Sequence, residues 1–352
     1  MATPGAVCIV RPERLQACCA ALLAACGMPP DAADLVAHIL VEADLRGVHS
    51  HGTLRLPGYV RGLRAADGIN PEPALRLAAL QDATAVLDAD RGMGQVAAHR
   101  AMQLAIELAK RYGLGAVTVR NSNHCGALAY YAEMALPHRC IGFAITNAGI
   151  NMTPWGGTQR LVGNNPMAYA IPTPRGWPIV LDMATSVAAG GKLDVAARRG
   201  EAIPLGWALD PAGQPTTDPR LARAGSLLSV GGPKGYALAV VLDILAGVLS
   251  GGRFGAGLGA RGSAHYFQAI KIDHFMSYDA FLARIEQLID QLQACPLAPG
   301  VERILLPGQY EAELKARRQK EGIPLDEETV EQLEGLAAEL GLASSPTCAL
   351  RD

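Results

Sequence analysis

No C-x-x-C pair occurs among the cysteines at 8, 18, 19, 26, 125, 140, 295 and 348, so neither a zinc knuckle nor a redox dithiol is offered. Cys18, Cys19 and Cys26 lie among alanines and leucines, where small buried thiols are expected. Reduced thiols in a cytoplasmic protein follow. Charge is scarce: 18% of the 352 residues are charged, 31 basic against 33 acidic, and no basic run stands out. Nucleic acid is therefore not an expected partner. Long apolar runs are missing as well. The longest, Ala237 to Leu249, is broken by Asp243 and too short to span a bilayer, so no membrane partner is expected. Met1 to Val10 has no charged segment followed by an apolar one, and no secretory signal is read there. The sequon Asn151-Met152-Thr153 is then a chance match. Half of the residues are hydrophobic, enough for two or three lobes with filled cores.

The pattern of elements is mixed. Residues 11–26 make an alanine-rich helix stopped by Gly27, and a second helix runs from Asp31 to about Arg46-Gly47. A short amphipathic helix is predicted over 59–68, then a linker around Asn70 to Pro73. Ala85–Ala89 reads as a strand, 92–110 as a long helix and Ala116–Val119 as a strand, a unit that favours a parallel pair. Residues 130–136 read as helix; 141–146, 168–172 and 179–181 as strands; 236–249 as helix; and 266–272 as a strand. Helices return over 281–292, 311–320 and 327–340. Helices at both ends flank an α/β centre, which places the termini together in one helical lobe.

Two glycine patterns call for care. Gly92-x-Gly94-x-x-Ala97 follows a strand and opens a helix, the setting of a Rossmann fingerprint. The next strand, however, runs into Arg120-Asn121-Ser122-Asn123 with no acid for a ribose, which tells against that reading. Gly257-x-Gly259-x-x-Gly262 follows a helix and precedes a strand, the wrong order, and reads as a loop.

The densest chemistry lies in Asp44-Leu45-Arg46-Gly47-Val48-His49-Ser50-His51-Gly52-Thr53-Leu54-Arg55-Leu56-Pro57-Gly58-Tyr59. His51 offers an acid/base and Arg55 a forked clamp for a carboxylate. His49, just beyond a helix C-terminus, is expected to cap that helix through its carbonyls. Asn121-Ser122-Asn123-His124-Cys125-Gly126-Ala127-Leu128-Ala129 stands at a strand end, readable as a phosphate site or as a polar turn capped by Asn123. Pro154-Trp155-Gly156-Gly157 and Gly163-Asn164-Asn165-Pro166 expose backbone to a ligand or simply make turns. Ile179-Val180-Leu181-Asp182 ends a strand in an acid suited to a ribose or a cap. Gly190-Gly191-Lys192-Leu193-Asp194 offers one cation and one acid, which makes Asp194 a candidate catalytic carboxylate. Gly231-Gly232-Pro233-Lys234-Gly235-Tyr236 could hold a pyrophosphate, without full P-loop spacing.

R-G-V-x-S-H-G-x-x-R, N-S-N-H-x-G, G-G-P-K-G-Y and L-P-G occur here in that order, over about residues 11 to 341. Together they resemble the malate/L-lactate dehydrogenase family that is separate from the Rossmann lactate dehydrogenases. Its members include ureidoglycolate and sulfolactate dehydrogenases, 2,3-diketogulonate reductase and Δ1-piperideine-2-carboxylate reductase. The resemblance implies a three-layer, mixed-sheet, non-Rossmann NAD(P)-binding α/β fold and a homodimer. It divides the chain into 1–75 (helical lobe with the catalytic loop), 76–276 (NAD(P)-binding domain) and 277–352 (helices returning to the lobe). It implies that His51 is the proton donor, oriented by Ser50, and that Arg55 binds the substrate carboxylate. His124 has an acid/base role in some relatives. NAD or NADP would be contacted by His124, Cys125, Gly126, Ala127 and Leu128, and by Pro178, Ile179, Val180, Leu181, Asp182, Met183 and Ala184. Pro233, Lys234 and the Gly308, Gln309, Tyr310 turn would complete that set. Asn164, in place of a hydroxyl residue of some relatives, would meet the substrate. Between Phe254 and Tyr266 the chain is shorter than usual in the family, and Gly308 is not followed by glutamate.

The reading is hydride transfer between nicotinamide and C2 of a small 2-oxo, 2-imino or 2-hydroxy acid. Its rivals are a metal-dependent hydrolase built on His49-x-His51 with His124, and a cofactor-binding protein without turnover.

Overall fold

The computed structural model describes residues 7–258, 262–342 and 345–351. Met1–Ala6 and the 259–261 part of the glycine loop lie outside the described residues. β1 (Val7–Val10) leads into α1 (Pro12–Ala24) and α2 (Pro30–Leu45), both opened by proline, whose missing amide is harmless in a first turn. Two 3-10 turns, His49–His51 and Thr53–Arg55, then start α3 (Leu56–Arg64), earlier than the periodicity predicts. Next come β2 (Arg76–Gln81), β3 (Thr84–Asp88), α4 (Gly94–Tyr112), β4 (Leu114–Ser122), α5 (Ala129–Glu133) and β5 (Cys140–Thr146). β6 (Ile150–Met152), β7 (Val162–Gly163), β8 (Met167–Ile171), β9 (Ile179–Met183) and α6 (Gly190–Arg199) follow. The chain continues through β10 (Ala208–Leu209), β11 (Pro215–Thr216), α7 (Pro219–Ala224) and β12 (Ser226–Leu227). α8 (Pro233–Asp243), β13 (Ser263–Lys271), α9 (Tyr278–Gln293), α10 (Gln309–Glu321), β14 (Ile323–Asp326) and α11 (Glu327–Glu339) complete it.

The main sheet has the order β2-β3-β4-β13-β5-β8-β9. Its β3/β4 neighbours are parallel, as the strand–helix–strand unit predicts, and every other pair is antiparallel. That pattern is mixed and not a Rossmann sheet, whose strands are mostly parallel. α4 lies across it on a face of small residues (Ala97, Ala98, Ala101, Ala105, Ala109) that brings the helix close to Val117, Val119, Phe267 and Ala269. A second core joins the two ends of the chain. β1 pairs with β14, Val7 opposite Asp326 and Val10 opposite Ile323, and α1, α2, α3 and α11 pack around Leu15, Leu22, Leu40, Leu56, Val330 and Leu333. A smaller sheet, β11-β10-β12-β6-β7, surrounds Met152, Val162, Leu193, Ala208 and Leu227. Its strands of two or three residues are too short for alternation to be read, and β2 is exposed along its whole length. The predicted 236–249 helix begins at Pro233 and widens into a π-turn over Ile244–Val248.

The Gly92-x-Gly94 pattern has a structural cause. A Cβ on Gly94 would stand 2.2 Å from the Asn123 carbonyl oxygen and 2.4 Å from that of His124. Glycine thus lets the first turn of α4 rest on the backbone of Asn123 and His124. Asn123 ties the contact down by donating from Nδ2 to the carbonyls of Arg91 (2.8 Å) and Gly92 (2.9 Å). Gly94→Ala should force these backbones apart and cost about 1–3 kcal/mol of stability, read by chemical denaturation. Unchanged stability would contradict the close approach.

Candidate active site

The site is built from the C-terminal end of α2. Asp44 turns inward there and is 1% exposed. Its Oδ2 accepts from the Thr53 amide (2.8 Å) and hydroxyl (2.7 Å), and its Oδ1 accepts from His49 Nδ1 (2.8 Å). Gly52 makes this possible, because a Cβ there would fall 2.0 Å from Asp44 Oδ1. On its other side His49 Nε2 lies 3.0 Å from Arg318 Nη1. Arginine cannot accept, so Nε2 carries the lone pair and Nδ1–H donates to Asp44. The expected capping role of His49 is corrected by this geometry. Arg318, from α10, donates to the Asp44 carbonyl at the helix end, while His49 grips the Asp44 side chain. Both ring nitrogens of His49 are spent, which removes the first ligand of a His49-x-His51 metal site. Among the described residues no cluster of three His, Cys, Asp or Glu side chains could hold a metal ion.

With the loop fixed at Asp44, Ser50, His51 and Arg55 face one another. Ser50 Oγ is 2.9 Å from His51 Nδ1, and the Arg55 Nε–H donates to the Ser50 carbonyl. The His51 ring stacks on His124 from the end of β4, with 5.5 Å between centroids and 27° between planes. His124 Nδ1 is 2.6 Å from the Tyr59 hydroxyl of α3. Burial, then the Arg55 charge, pushes His51 down to about 4. Burial, then His51, Arg55 and His265, pushes His124 down to about 3. Beneath them His265 of β13 is fully buried, its Nδ1 2.8 Å from Thr146 Oγ1 and its Nε2 2.8 Å from Ser122 Oγ, and burial holds it at about 3.

His124 and Asp182 are each crowded by protein yet keep exposed side chains, the mark of a concave surface. Asp182 ends β9 and accepts from the Ala129 amide at the start of α5 (2.8 Å). Desolvation raises its carboxyl, against the Ala129 and Leu128 amides, and the water reaching its open face weakens that effect. Val180 donates to the Pro307 carbonyl (2.9 Å), which docks the L-P-G turn on β9. Gln309 is occupied locally, its Oε1 accepting from the Leu306 amide and its Nε2 donating to Glu313, while Tyr310 is exposed. Cys125, Gly126 and Leu128 are buried; Ala127, Pro178, Ile179, Leu181, Met183 and Ala184 are partly open. Pro233 and Lys234 are exposed in the first turn of α8. Two candidates are engaged by other side chains. Asp194 pairs with Arg223 (3.3 Å), and Asn164 Oδ1 accepts from Asn151 Nδ2 (3.0 Å). Among the described residues neither makes a hydrogen bond to His51, His124 or Arg55.

Asp44, Tyr59 and His265 carry this arrangement without having been assigned to it from the sequence. Spacing could have suggested Asp44, which closes a helix five residues before His49. No local signal marks His265, whose partners come from β4 and β5.

A profile described as malate/L-lactate dehydrogenase matches residues 10–334. The chain belongs to the malate/L-lactate dehydrogenase family. It is 40% identical to malate dehydrogenase of Pyrococcus abyssi over 329 residues, 90% of each chain. The solved sulfolactate dehydrogenase of Methanocaldococcus jannaschii superimposes with a TM-score of 0.88 at 38% identity, covering 95% of this chain and 98% of that one. The Δ1-piperideine-2-carboxylate reductase of Pseudomonas syringae gives 0.84 at 31% identity, over 94% and 99%. This family member is therefore a dehydrogenase, and a nicotinamide cofactor follows from that chemistry.

Asp44→Asn would set an amide against three donors. It should cost about 1–3 kcal/mol of stability and lower turnover while nicotinamide affinity, read by fluorescence titration, stays put. Acid should act through the buried imidazoles. His265 sits at about 3 when folded against 6.5 when free, so stability is complete above pH 6.5 and falls as pH drops toward 3. The unfolded chain takes up the proton first, adding up to about 1.4 kcal/mol per pH unit. A folded His265→Asn variant should show a shallower fall between about pH 6 and pH 4; an equal slope would remove His265 from the effect.

Proposed function

We propose that this dehydrogenase moves hydride between nicotinamide and C2 of a small 2-oxo, 2-imino or 2-hydroxy acid. The observation that supports it is the stacked His51/His124 pair beside Arg55, open to the crowded surface that carries Asp182. The nicotinamide group, when bound, gives or takes the hydride. The chain's own residues do the rest. Arg55 clamps the carboxylate so that C2 has one orientation, a positioning effect large enough to matter on its own. His51, steadied by Ser50, gives its proton to the carbonyl oxygen or imine nitrogen during reduction and removes it during oxidation. Burial holds His51 low first and the Arg55 charge second; a carboxylate on Arg55 offsets the second contribution, so substrate binding raises the proton affinity of His51.

Residues 124–128 and 178–184, Pro233-Lys234 and the Gly308–Tyr310 turn would hold the dinucleotide. They fit such a group: the Asp182 carboxylate is open to a hydroxyl donor such as a ribose, and Lys234 is an exposed cation with no ion pair among the described residues. Asn164 is a substrate contact and Asp194 a second acid in the same proposal. Among the described residues no helix is long and apolar enough to cross a membrane, and all eight cysteines are free, which suits a reducing cytoplasm. The apolar face of Val241, Ile244, Val248, Leu249 and Phe254, each close to half exposed, supports a homodimer.

A panel of 2-oxo and cyclic 2-imino acids assayed with NADH and NADPH in parallel tests the reading and separates NAD from NADP. His51→Ala should lower turnover by ~10²–10⁴-fold and leave cofactor binding intact. Near-wild-type turnover would remove His51 from its role.

A further inference from the structure

The stacked histidines are held by partners of different kinds. Tyr59 is 7% exposed, and its hydroxyl reaches His124 Nδ1 at 2.6 Å. The Gly126 amide also points at Nδ1, from 3.4 Å. A main-chain amide only donates, so Nδ1 presents its lone pair and bears no proton. The tyrosine hydroxyl then donates to Nδ1 too, and the proton of the neutral ring lies on Nε2. Gln95 is fully buried within reach of the phenol, but its carboxamide makes no hydrogen bond of ordinary geometry, whereas the phenol reaches His124 Nδ1 at 2.6 Å. His51 differs. Its Nδ1 faces the Ser50 hydroxyl, which can donate or accept, and the ring can change protonation without losing its partner. A proton added to His124 Nδ1 would instead be driven against the Gly126 N–H.

We propose that Tyr59 is a positioning residue that holds His124 as a permanent Nε2–H hydrogen-bond donor. His124 then steadies negative charge developing on the substituent at C2 and exchanges no proton, so proton transfer belongs to His51 alone. The inference rests on the proposed function for what the donor acts upon, but not for the tautomer itself. Neutral imidazole is a competent donor of this kind when its surroundings keep it uncharged. Crowding by the protein, with His51, Arg55 and His265 close by, provides such surroundings on the packed side of a ring that keeps one open face.

The test uses the full-length protein labelled with 15N-histidine, with His124 assigned by its loss in His124→Gln. The wild type should show an unprotonated Nδ1 and a protonated Nε2 from about pH 6 to pH 9. In Tyr59→Phe that single tautomer should give way to a mixture. Its turnover should fall roughly 10–100-fold with the KM for the acid little changed and the pH profile unmoved. His124→Gln, whose amide nitrogen can stand in for Nε2–H, should keep at least about tenfold more turnover than His124→Ala. A protonated Nδ1 in the wild type would overturn the proposal, as would a His124→Gln no better than His124→Ala. If no acid in the panel is turned over while the tautomer is as stated, the functional reading fails and the tautomer assignment survives.

Discussion

Three donors from one loop converge on the carboxylate of Asp44, and the position of everything reactive follows from that contact. A buried carboxylate left without donors is costly, so the loop cannot swing away without exposing the group or stranding it. His49, Thr53 and the bare Cα of Gly52 are fixed as a unit, and Ser50, His51 and Arg55 lie between or beside them. The grip is doubled from the far end of the chain. Arg318 holds the Asp44 carbonyl and the second nitrogen of His49, and Lys315 pairs with Glu42, two residues earlier in α2 (2.6 Å). α10 is therefore part of the support of the N-terminal loop.

A second set of contacts joins this lobe to the sheet. Arg46 makes a two-pronged ion pair with Glu133 of α5, while Asp182 accepts from the amide that starts the same helix. α5 is only one turn long, but it is held at both ends by residues on opposite sides of the cleft. The L-P-G turn docks on β9 from the C-terminal side. Loop, short helix, strand end and turn are thus tied to one another by hydrogen bonds and an ion pair, which suits a reaction that needs two molecules aligned.

Electrostatically the site is arranged for an anion. Desolvation pushes His51, His124 and His265 toward the neutral form, most fully at His265, which has no open face, and among the described residues Arg55 adds positive field without a carboxylate as a hydrogen-bond partner. Neutral rings beside a guanidinium leave a net attraction for a carboxylate. They also leave one histidine free to gain a proton once that carboxylate arrives.

Local sequence was enough for the long helices, whose apolar spacing survives any tertiary context, and for the β3–α4–β4 unit, whose order and lengths permit little else. It was not enough for β2, which buries no face, or for the short strands of the small sheet, which hold too few residues to alternate. His51 and Arg55 could be named from a glycine-bracketed loop dense in chemistry, whereas Ser50 and His124 needed the family resemblance, the His124 stretch by itself reading equally well as a polar turn. The glycines at 92 and 94, by contrast, carried the letters of a dinucleotide loop and turned out to admit the Pro73 ring and the backbone of Asn123-His124. Sequence by itself determined which groups able to bind anions and carry protons this protein has, because residue type sets that chemistry. Only the tertiary structure decided which of them meet and in what protonation state. His124 is placed against His51 by the packing of α4 on a strand end, and its proton is placed by a tyrosine 65 residues away in the chain.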